Sequence, residues 1–80
     1  MKTTAEFWIP SEPVESANAM IGYLTNLADA VTIIERYATS GTAFKLALVT
    51  LDEEQIDFMR TTAILLGIEI LVVTPARSYA

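Results

Sequence analysis

The chain contains no cysteine and no histidine. Without cysteine there is no disulfide staple, no thiolate metal site and no thiol nucleophile. Without histidine there is no Ser-His pair, no imidazole base and no imidazole-ligated metal. Glycine is also scarce. The three, at positions 22, 41 and 67, are too far apart to form a GxGxxG or GxxxxGK[ST] phosphate loop. Where such a loop would join a strand to a helix, the chain places Asp52, Glu53 and Glu54, which repel an anion. No cofactor is expected, and the chain reads as a non-enzyme.

Basic residues are few: five against ten acids, for a net charge of −5 and a pI near 4.4. Direct nucleic-acid binding relies on Lys and Arg displacing phosphate counterions, so that balance argues against it. No apolar run approaches the ~18–20 residues of a membrane span, and the first ten residues do not resemble a signal peptide. The expectation is a soluble, cytoplasmic protein that does not contact a membrane.

What the chain does have is apolar material, 52% of 80 residues, enough for one globular domain spanning residues 1–80. A domain of this size buries only about 60–65% of its unfolded surface. With no covalent staple, oligomerisation is the natural way to bury more.

Thr4 to Ile9 is aromatic and β-branched and stops at Pro10, as a first strand would. Ser11 as N-cap, with Glu12 and Pro13 behind it, reads as a helix start. From Val14 to Ala38, Met20, Leu24, Leu27, Val31, Ile34 and Ala38 recur at steps of four and three, which predicts a helix. Unbroken, it would be about 37 Å long against about 26 Å for an eight-residue strand. It must therefore overhang the sheet or break, with Gly22, or Thr25-Asn26 as a second N-cap, as the place of a break and Ser40-Gly41 as the C-terminal cap.

Ala43 to Leu51 is apolar on both alternating sets, the pattern of a central strand covered on both faces. Asp52 with Gln55 predicts a capping box, followed by a helix on Ile56, Met59, Ala63 and Leu66 that closes at Gly67. Ile68 to Thr74 is a last strand, ended by Pro75. The order predicts an α/β fold, a small βαβαβ domain with a three-stranded, mainly parallel sheet and two helices.

In such a sheet the segments after each strand meet at one edge. That edge would gather six of the ten acids, Glu12, Glu15, Asp52, Glu53, Glu54 and Asp57, with Arg77 as the base beside them. Most simply these acids cap helices and complement their dipoles. As a group they also predict an electronegative surface for a basic patch on another protein. Glu12, Asp52 and Glu53 are the oxygen ligands of a third possibility, a Mg²⁺ or Ca²⁺ site, although no metal-loop spacing is present.

Trp8 reads either as packed on the first helix or as an interface anchor. Tyr23, Ile33 and Tyr37 lie beside the main stripe of the long helix and widen it, which predicts a homodimer or a permanent partner. The function expected is a non-enzymatic protein-interaction module, a small acidic adaptor or inhibitor using its acidic end or an exposed apolar face. The alternatives are a small-molecule or metal-binding regulatory domain, and an acidic mimic of nucleic acid.

Overall fold

A computed structural model describes residues 1–76. Among these there are four strands and two helices: β1 (Lys2–Pro10), α1 (Val14–Leu27), β2 (Ala30–Tyr37), β3 (Ala43–Asp52), α2 (Glu53–Leu65) and β4 (Leu71–Val73). The sheet order is β2-β3-β1-β4, and every neighbouring pair is antiparallel.

The three-stranded, mainly parallel sheet is thus corrected, and the reason lies in an unread strand. β1 and β2 do run parallel, joined by the α1 crossover, but β3 is inserted between them. β3 and β4 are likewise parallel, joined by α2, with β1 between them. Two interleaved βαβ units make each adjacent pair antiparallel, the split-βαβ or ferredoxin-like connectivity.

The long helix from Val14 to Ala38 is the second correction. α1 ends at Leu27, one residue beyond the expected Thr25-Asn26 break. Thr25 does not cap a new helix, because its hydroxyl donates to the carbonyl of Ile21, 2.8 Å away. Beyond Asp29, Val31, Thr32, Ile33 and Ile34 form a β-branched run, and the chain extends into β2. Ser40-Gly41 caps no helix. It lies in the β2–β3 turn, where Ala38 and Thr42 pair, the Gly41 N–H donates to the Ala38 carbonyl, and Gly41 has φ 88°.

Smaller shifts follow. Pro13 rather than Ser11 occupies the N-cap of α1. Asp52 occupies that position in α2 but makes no side-chain cap bond. The last strand is three residues, shorter than Ile68 to Thr74.

Both helices cover the same sheet face. Ala17, Met20 and Leu24 of α1 and Ile56, Met59 and Ala63 of α2 form one cluster with Ala5, Phe7, Ile9, Ala47, Val49 and Leu51. The Ser16 hydroxyl ties the helices together by donating to the Leu66 carbonyl, 3.1 Å away. One helix layer on one sheet gives a thin molecule, 35 × 33 × 15 Å between Cα extremes. Among the described residues no helix is long and apolar enough to cross a membrane.

Candidate functional site: the sheet face away from the helices and its β2 edge

The antiparallel register separates the acids. Lys2 lies opposite Asp52, and Pro10 lies opposite Phe44. Glu12 and Glu15, which follow β1, therefore sit at one end of the sheet. Asp52, Glu53, Glu54 and Asp57 sit at the other, about 27 Å away along β1. The single acidic edge does not form, because its assembly depended on parallel strands. Arg77 lies outside the described residues.

The base beside Asp52 is instead Lys2, whose ammonium is 3.4 Å from Asp52 and 3.1 Å from Asp29. The N-terminal ammonium lies 3.5 Å from Asp52 as well. Hydrogen bonding from Lys2 holds the Asp52 carboxyl below its ordinary value, and the Asp29 bond holds Lys2 above its own. These charges are occupied within the chain. Among the described residues no three acidic side chains converge on a position where a metal ion would sit.

The four residues expected at a dimer interface do not form one patch. Alternation along β1 sends Ala5, Phe7 and Ile9 to the helices, which puts Trp8 on the opposite face rather than against α1. Tyr23 is exposed on α1. Only Ile33 and Tyr37 share an element, four residues apart on the same side of β2, and their exposure arises from the sheet edge and not from a helix.

The face away from both helices carries an apolar row across all four strands: Ile34, Leu46, Trp8 and Leu71 are in register. The next row is Thr32, Leu48, Glu6 and Val73. Glu6 is completely buried there and accepts a 2.7 Å hydrogen bond from the Trp8 indole N–H. Trp8 also meets Phe44 edge to face, with ring centroids 6.3 Å apart. The Glu6–Trp8 pair escaped the sequence reading, although its signal was present: positions two apart on a strand share a face.

The β2 edge differs from the rest of the sheet in what its backbone offers. Ala38 N–H donates to Thr42, which fixes the alternation of the β2–β3 ladder. Thr32, Ile34 and Arg36 then turn their N–H and C=O groups toward β3. Val31, Ile33, Glu35 and Tyr37 turn theirs outward. Among the described residues nothing pairs with those outward groups. The eight-residue register runs unbroken, so there is no bulge, and the strand contains neither lysine nor proline. Its side chains are apolar apart from Thr32, Glu35, Arg36 and the tyrosine hydroxyl, with Ile33 38% and Tyr37 69% exposed. No family model, curated protein or solved structure matches the chain.

Proposed function

We propose that the chain is a non-enzymatic protein-interaction module that binds by adding a strand to its sheet at β2. The observation that carries this is the regular eight-residue edge, with outward N–H and C=O groups, no bulge, proline or lysine, and charges confined to Glu35 and Arg36. Strand addition draws affinity from main-chain hydrogen bonds and selectivity from alternate side chains, here Ile33 and Tyr37 on the helix side and Ile34 on the face away from the helices. The composition supports the same reading, since the chain has neither the imidazole nor the thiol on which most hydrolytic chemistry depends.

The test compares two baits. Tagged wild-type protein and an Ile33→Lys variant are used for capture from the native cell, with retained proteins identified by mass. A lysine at an exposed edge position blunts strand addition with little effect on folding, within about 1 kcal/mol. Proteins retained by the wild type are expected to be lost by the variant while its circular dichroism is unchanged. Equal retention by both baits would remove β2 as the binding surface.

A further inference from the structure

We infer that the strand that docks on β2 is the β2 of a second copy of this chain, running antiparallel about a two-fold axis between the two Ile34 residues. The inference rests on strand addition at β2 and names the occupant.

Among the self-pairings that keep the outward groups facing each other, those centred on Ile33, Ile34 or Glu35 pair at least three of the four outward residues within β2, and the residues decide among them. Centring on Glu35 sets two carboxylates directly opposite, which is unfavourable, and leaves Val31 without a partner. Centring on Ile33 sets Tyr37 opposite Asp29, which lies outside β2 and whose N–H already donates to Thr50. Centring on Ile34 sets Val31 opposite Tyr37 and Ile33 opposite Glu35. All four outward residues of each copy are then paired, with about eight backbone hydrogen bonds across the seam.

Side chains agree with that register. On the helix side the exposed Tyr37 ring covers Val31 of the other copy. On the face away from the helices Ile34 meets its own symmetry mate, and Arg36 meets Thr32. No like charges are opposed, and Glu35 retains Lys45 of its own chain, 3.6 Å away. The net charge of −5 disfavours self-association in general. The β2 segment itself is neutral, with one acid and one base, so the two copies meet where that repulsion is least. The surface is self-complementary, as a two-fold contact requires.

The absence of cysteine makes a clean test possible. In this register the two Ile34 residues form a non-hydrogen-bonded pair with Cα atoms about 4.5 Å apart, within disulfide range. The two Thr32 residues would stand about 14 Å apart, out of range. Under mild oxidation Ile34→Cys is expected to give a covalent dimer on a non-reducing gel, and Thr32→Cys to remain a monomer. Because the contact is a single strand, at the small end of interface sizes, the wild type is examined by sedimentation at about 100 µM. It is expected at twice its 8.8 kDa mass.

A monomeric wild type at that concentration, or folded cysteine variants that cross-link equally, would overturn the second copy. If a monomeric chain nevertheless loses its cellular partners on Ile33→Lys, strand addition stands and the second copy is wrong. If its capture is also indifferent to Ile33→Lys, both are removed.

Discussion

β2 and β4 hold equivalent places in the molecule: each closes a split βαβ unit, each follows a helix, and each lies at an edge of the sheet. Yet β2 pairs with β3 over eight residues, whereas β4 pairs with β1 over three. After β4 comes Pro75, which has no N–H to give. The next backbone bond to β1 is made by Ala76, which donates to the Thr4 carbonyl. A short strand followed by proline is how an edge is kept from pairing with another chain, and β4 has both features. β2 has neither. Leu71 on β4 is itself 58% exposed, so apolar exposure alone does not separate the edges. The length of the free backbone does.

Substitution in β1, the strand of the first unit that lies between the two strands of the second, should break the comparison most severely. Phe7 is fully buried on β1, between β3 and β4. Phe7→Ala is expected to cost about 3–5 kcal/mol, whereas Ile33→Ala at the β2 edge should cost about 1 kcal/mol or less. Urea unfolding measures both. Equal costs would mean that β2 is part of the core and not a surface strand.

The same change made in each unit should have opposite signs. Gly67, after α2, has φ 74°, where a Cβ is strained; Gly67→Ala is expected to destabilise by about 1–2 kcal/mol. Gly22 lies inside α1 with open space around the position a Cβ would take. Gly22→Ala should stabilise by about 0.5–1 kcal/mol. Thermal unfolding of the two variants decides it, and a loss of stability in Gly22→Ala would show that α1 depends on that glycine for more than its conformation.

The contrast between edges was only half legible in the sequence. β1, β3 and α2 could be read from their composition and flanking residues, because Pro10, Asp52 and Gly67 punctuate them. β2 was hidden by a coincidence of periods. Leu27, Val31, Ile34 and Ala38 continue the three-four rhythm of Met20 and Leu24, while Val31 through Ile34 also suit a strand. Only length argued for a break, and it could not say that the chain beyond the break was extended.

Once β2 was missed, the count of strands, their direction and the grouping of the acids were all wrong together, since each followed from pairing β1 with β3 in parallel. The apolar character of both faces of β3 misled in the same direction. Phe44, Leu46 and Leu48 lie on the face without helices, packed among Trp8 and Ile34 rather than under a second helix layer.

The smallest expected effect sharpens the comparison at the start of β2. Lys2 bridges Asp52, at the end of β3, and Asp29, just before β2, so this cluster steadies the entry to one edge strand and does not touch β4. The Lys2 bond holds Asp52 below its ordinary 3.8, so its contribution is complete above that value and is lost as pH falls through the lowered one. The Asp29 bond holds Lys2 above its ordinary 10.5, so that contribution is complete below 10.5 and is lost as pH rises through the raised value. All three side chains are exposed, and salt screens them, so the change in overall stability should be slight. Local readouts are more sensitive. In Lys2→Met the Asp52 carboxyl should titrate at a higher pH by NMR, and amide exchange should quicken at Ala30 while Leu71 is unaffected. An unmoved Asp52 midpoint would show that the ion pair does not persist in solution, and equal quickening at both strands would show that the cluster steadies the whole sheet rather than the edge that is free to pair.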